Sequence, residues 1–172
     1  MTKSICSLVL VFLFNLCTLS AQTFTCGDTL VDIDGNRYPT IEIAGKCWMQ
    51  ENLKAIHCND GTSISLTTDS ILWTGLSSPS YTYYASDSNN VGAYGLLYNG
   101  YAAIDPCGIC PSGWSIPSDS AWTDMVNTLG GESVAGGALK DTAVWIINSG
   151  STNSAGFTAK PGGFRVANGG YD

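Results

Sequence analysis

The chain has 172 residues, with 14 acidic against 7 basic side chains and a net charge of −7. Only 12% of the residues are charged, and an acidic surface with scattered Lys and Arg repels phosphate backbones, so nucleic acid is set aside as a partner. Gly, Ser, Thr and Asn dominate the polar positions, a composition suited to a loop-rich surface that hydrogen-bonds rather than pairs charges.

The N-terminus reads as a secretory signal peptide over residues 1–21. Lys3 supplies the positive start, Ile5 to Leu19 an apolar run, and Ser20-Ala21 the small residues before a cleavage point. The run falls short of the ~20 residues a spanning helix needs and contains Asn15, which disfavours a retained anchor. No later stretch could cross a bilayer. The expected location is therefore secreted, or the cell envelope and its outer surface. Cleavage leaves about 150 residues, enough for one domain with a real core, divided as a short linker over 22–29 and a domain over 30–172. Cys26, Cys47, Cys58, Cys107 and Cys110 remain, and an exported chain should oxidise them. Five is odd, so one is free, pairs between chains or has its partner beyond the given sequence, and spacing leaves the connectivity open.

Residues 30–49 read as a β-meander. Leu30-Val31-Asp32-Ile33 leads into the turn signal Asp34-Gly35-Asn36, an alternating strand runs over 37–43, Ala44-Gly45 turns again, and Lys46-Cys47-Trp48-Met49 begins a third strand. Gln50 to Leu53 closes it as a bend. Asp32-x-Asp34-x-Asn36 has the opening of a calcium loop, but Arg37 stands where a glycine belongs and Ile43 where a glutamate belongs, so a turn is expected and no metal site. His57, the sole histidine, reads as a surface residue.

Residues 61–92 form a long Ser/Thr/Asn/Tyr stretch that Trp73, Tyr81, Tyr83 and Tyr84 should hold as an ordered excursion. Residues 94–103 are mostly apolar, a strand or short buried segment. Cys107-x-x-Cys110 could be a redox pair, a metal knuckle or a loop staple; Pro111 and Gly113 follow it instead of a helix start, which favours a structural role. A helix should start at Ser118, a good cap, with Asp119 in its first turn; Ala121, Trp122, Met125, Val126 and Leu129 share one face, and Gly130-Gly131 ends it. Trp122 and Met125 are accordingly expected in the core. A shorter helix is expected over 132–140, weakened by Gly136-Gly137, then a buried strand at Trp145-Ile146-Ile147 and a final glycine-rich motif from Phe157.

Four ordered blocks then carry a family resemblance: V-D-I-D-G-N-R-Y-P-T-I-E-I-A-G-K-C-W-M-Q-E-N-L, Y-G-L-L-Y-N-G-Y-A-A, C-P-S-G-W-S-I-P-S-D-S-A-W and G-F-T-A-K-P-G-G-F-R. Together they resemble the Fibrobacter succinogenes major paralogous domain, an exported family common in Bacteroidetes and Fibrobacteres, over about Val31 to Arg165. The resemblance implies an α+β, C-type-lectin-like fold related to the sulfatase-modifying-factor group: small twisted antiparallel sheets, one or two helices and long loops. It marks Trp48, Trp114, Pro117, Trp122, Phe157, Gly162 and Gly163 as structural positions. Ala121 stands where the family usually has a glutamate, so the helix start loses half of a capping box. The family also runs on past the P-G-G-F-R motif, so the chain is expected to be incomplete at its C-terminus.

The function expected from this is binding without catalysis: a secreted or surface module for a carbohydrate or a surface protein, needing no cofactor. Tyr81, Tyr83, Tyr84, Asp87, Asn89 and Asn90 are the candidate contacts, since aromatic faces stack on sugar rings while Asn and Asp satisfy hydroxyls. The calcium-dependent sugar motifs of true C-type lectins are absent. An adhesive envelope domain with no small ligand is the alternative. A formylglycine-generating relative is remote, because no cysteine follows Cys110 to complete a late copper-binding pair.

Overall fold

The turn at Asp34-Gly35 is organised by one carboxylate. Asp32 accepts from the backbone N–H of Asp34 and Asn36, from Asn36 Nδ2 at 2.8 Å and from the Tyr38 hydroxyl at 2.6 Å, so the D-x-D-x-N motif satisfies itself as a turn. A computed structural model describes residues 24–145 and 150–172. The expected signal peptide and the Ile146-Ile147 part of the expected strand lie outside the described residues.

The meander forms as expected: β1 (Thr29–Val31), β2 (Arg37–Ile43) and β3 (Lys46–Met49) pair antiparallel in that order, with Leu30 opposite Tyr38 and Ile41 opposite Trp48. Ala44 and Gly45 both take positive φ, the geometry that a two-residue hairpin turn needs to match strand twist. The second sheet is mixed rather than antiparallel. β4 (Ser65–Leu66) runs parallel to β5 (Ser80–Thr82), and β6 (Leu97–Tyr98) runs antiparallel to it. A parallel pair needs a crossover connection, and the segment carrying α1 (Ser70–Thr74) supplies it. The polar 61–92 excursion is thus ordered, ending in 3₁₀ turns at Tyr84–Ser86 and Ser88–Asn90 and in α2 (Val91–Tyr94). The apolar 94–103 segment splits into β6 and α3 (Gly100–Ile104), because the Asn99 side chain accepts from Ala102 N–H and caps a helix there.

The Ser118 helix is α4 (Asp119–Thr128), capped by Ser118 Oγ accepting from Ala121 N–H. It ends where Gly131 N–H reaches the Val126 carbonyl. Helix α5 (Glu132–Leu139) follows in spite of its two glycines. Gly137 has a positional reason: a Cβ there would come within 2.5 Å of the Gly150 carbonyl oxygen, and Thr152 N–H donates to the Gly137 carbonyl at 2.8 Å. Trp145 sits in a bend rather than a strand, its indole N–H donating to the Ala159 carbonyl and its ring under the Lys140 ammonium.

Two apolar clusters hold these pieces. One gathers Ile43, Trp48, Ala121 and Met125 between the meander and α4, with Phe157 against it. The other gathers Cys58, Ile64, Tyr81, Leu96, Ala102, Ile109 and Cys110 around the second sheet, with Trp114 against it. Met125 is wholly buried, as expected, but Trp122 is 40% exposed. The reason is angular: Ala121 and Met125 occupy the centre of the buried stripe, and Trp122, one position round the helix, covers it from outside. Its ring lies 4.9 Å from Trp48 and 6.2 Å from Phe157. Disulfides join Cys26 to Cys47 and Cys58 to Cys107, with Cα separations of 5.4 and 5.5 Å. Cys107 therefore does not pair with its near neighbour Cys110, which is free and buried. No described helix is long and apolar enough to cross a membrane.

Candidate functional site

A large concavity among the described residues lies between strand β3 and the Pro/Gly/Trp corner that precedes α4. It is a groove of about 530 Å³, lined chiefly by Phe24, Lys46, Trp48, Trp114, Ile116 and Ser118. Each wall is fixed by local structure. Trp48 is held by its indole N–H on the Ile43 carbonyl at 3.1 Å. Trp114 is set by a turn in which its backbone N–H donates to the Pro111 carbonyl. Pro117 and the Ser118 cap lead the chain from that turn into α4.

Phe24 closes the groove from the N-terminal side. Its ring meets Trp114 edge-on, with centroids 5.5 Å apart and planes at 90°. Two residues on, Cys26 is bonded to Cys47, which also lines the groove. The Thr40 hydroxyl accepts from Gly27 N–H and donates to the Asp28 carbonyl, pinning the same segment. Lys46 stands at the rim, 3.4 Å from Asp124. That pair is exposed on both sides and weak, so the ammonium is free to turn to a ligand.

The expected tyrosine loop serves the fold to a large degree. Tyr81 is buried in the second cluster, and its burial raises its hydroxyl above the ordinary value. Tyr83 is half-buried and packs on Tyr81. Tyr84 stacks edge-on with Tyr171, and its carbonyl accepts from Asn90 Nδ2. The Asp87 carboxylate accepts from both the backbone and side chain of Asn89. Asp87 and Asn89 are exposed, but neither lines the groove. Gly162 and Gly163 close the same side of the molecule. Gly163 has φ of +67°, and a Cβ there would run into the Tyr84 ring.

His57 is not an isolated surface residue. Its Nδ1 pairs with Asp34 at 2.5 Å, and Asp34 also accepts from the backbone N–H of Ile56 and His57. Burial raises the Asp34 carboxyl, but these hydrogen bonds outweigh it and hold the group below the usual carboxylate value. The arrangement is a staple between the 32–36 turn and the 56–58 segment. Burial pushes the Cys110 thiol up, which keeps it protonated and unreactive. Among the described residues no group of three or more His, Cys, Asp or Glu could hold a metal ion.

Sequence reading missed Phe24, Lys46, Ser115 and Ile116 as groove residues. The corner motif was legible, but nothing local says that a residue before Cys26 folds onto Trp114. No solved structure and no curated protein matches the chain. The family model described as the Fibrobacter succinogenes major domain matches residues 41–172, which takes in β3, the corner, α4 and the glycine-rich close. The β3 and corner side of the groove is therefore family scaffold, whereas Phe24 and Cys26 lie outside the match, and the chain belongs to the Fibrobacter succinogenes major domain family.

Proposed function

We propose that the domain is an exported, non-catalytic recognition module, and that it holds a glycan or a surface protein in the groove between β3 and residues 113–118. The observation that carries this reading is the groove itself. It places aromatic and aliphatic surface beside hydroxyls and one ammonium in a concavity of the size that ligand sites occupy. Catalysis finds less support: the buried thiol is protonated, and the one acid–histidine pair is spent on joining two loops.

Export is supported by the signal-like N-terminus and by two disulfides, which persist in oxidising compartments. The lectin-like architecture implied by the family resemblance, with short sheets carrying long loops, favours display of a binding surface. The test is a parallel screen of the purified chain on a glycan array and on immobilised envelope proteins, with Trp114→Ala as the site control. Specific retention that Trp114→Ala abolishes supports the module. Retention unaffected by that change refutes the groove as the binding place, and silence on both surfaces refutes the module and leaves an adhesive domain without a small ligand.

A further inference from the structure

We infer that the groove takes a carbohydrate, and that Phe24 and Trp114 form its subsite for a single sugar ring, with the Cys26–Cys47 disulfide as the positioning device. This rests on the recognition reading above and assigns it a ligand class and a place. Two aromatic rings set at 90° with centroids 5.5 Å apart make a floor and a wall. A pyranose has a C–H face that stacks on one ring and an edge that meets the other, and its hydroxyls turn outward to polar partners. Those partners are present in the lining: the Ser115 and Ser118 hydroxyls and the Lys46 ammonium.

The lining contains no side-chain carboxylate, in a chain that carries 14 of them. A sugar therefore meets no carboxylate in the lining itself; the nearest named one, Asp124, is paired with Lys46 at the rim. Phe24 remains 43% exposed even against Trp114, so its ring is presented rather than packed away. Its placement depends on the disulfide two residues later and on the Thr40 hydroxyl bonds, which together fix residues 24–28 to the meander. That half of the subsite is therefore held less firmly until the cysteines are joined. The domain should acquire full affinity only after oxidation.

The experiment is titration of the oxidised full chain with cellohexaose, xylohexaose, mannohexaose and an oligogalacturonate, followed by heteronuclear NMR and calorimetry. At least one sugar is expected to shift indole signals. Phe24→Ala and Trp114→Ala should each lower its affinity about five- to tenfold, the worth of one aromatic contact. The Cys26→Ser/Cys47→Ser double variant should lose as much as Phe24→Ala, while Leu72→Ala on α1, outside the groove, leaves affinity unchanged. Phe24→Ala is the decisive variant because its side chain is not core, and circular dichroism checks that the others fold. Sugar binding that survives both aromatic substitutions overturns the subsite and leaves the module. Binding of envelope proteins with no sugar response overturns the carbohydrate assignment alone. No binding to sugars or proteins overturns both.

Discussion

Replacing Arg165 with alanine should loosen the C-terminal segment more than any other single surface change. The guanidinium lies 4.5 Å from the Trp73 ring centroid and 4.8 Å from that of Tyr171, sandwiched between them. Its nitrogens donate to the carbonyls of Thr67 at 2.7 Å, Thr68 at 2.9 Å and Gly169 at 3.1 Å, and to Thr82 Oγ1 at 3.2 Å. Hydrogen bonds from a charged donor contribute about 1.5–3 kcal/mol when desolvated and less at a half-buried site, and each cation–π contact adds about 0.5–1 kcal/mol. Water replaces part of what is lost, so the net cost should be about 3 kcal/mol. For a domain of this size that corresponds to a drop of about 6–12 °C in Tm. Arg165→Lys should recover less than half, since an ammonium cannot span four acceptors in a planar fork. Thermal unfolding by circular dichroism measures the total. Hydrogen exchange at Val166 and Asp172, whose amides bond to Gly170 and Phe164, localises it. A Tm change under 2 °C with unaltered exchange at those amides would refute the clamp.

Met125→Ala removes a wholly buried side chain from between α4 and the meander, and should cost about 2–4 kcal/mol by urea unfolding. Asp34 should contribute to the acid limb of stability. Its folded value is depressed, so its stabilisation is present above the ordinary carboxylate value and is lost as pH falls through the lower folded one; Asp34→Asn should flatten that limb in pH-dependent melts. In protein folded under oxidising conditions, non-reducing peptide mapping should find Cys26 with Cys47 and Cys58 with Cys107. Cys110 should react with iodoacetamide only after unfolding, because its thiol is buried and protonated.

Much of the architecture was legible locally. The meander follows from Asp-Gly and Ala-Gly turns between alternating runs. Helix α4 follows from a Ser cap, a helical stripe and a Gly-Gly stop. Such features are readable because the causes act within a few residues: dihedral preferences, capping bonds and strand alternation. Helix α5 shows the limit of that logic, since Gly136-Gly137 signals weakness locally, yet Gly137 is what lets residues 150–152 approach.

Trp122 marks a finer limit. Helical spacing placed it on the buried face with Ala121 and Met125, but spacing cannot say how wide that face is. Trp122 meets the meander only through Trp48 among the ring contacts and keeps 40% of its surface exposed. The cysteines are similar: five of them and an odd count came from composition, whereas the partners depend on which loops meet. Cys107 joins Cys58 across 49 positions because the second sheet brings those segments together, and proximity in sequence to Cys110 has no bearing on that.

The candidate site divides in the same way. Its rigid corner, from Pro111 through Trp114 to the Ser118 cap, is written in consecutive residues, because turn geometry and capping are local. Its opposite wall is not. Phe24 reaches Trp114 across 90 positions of chain, and it does so through a disulfide and a threonine hydroxyl supplied by the meander. Contacts of that range depend on which surfaces bury each other, a property of the assembled core that no short stretch of sequence contains.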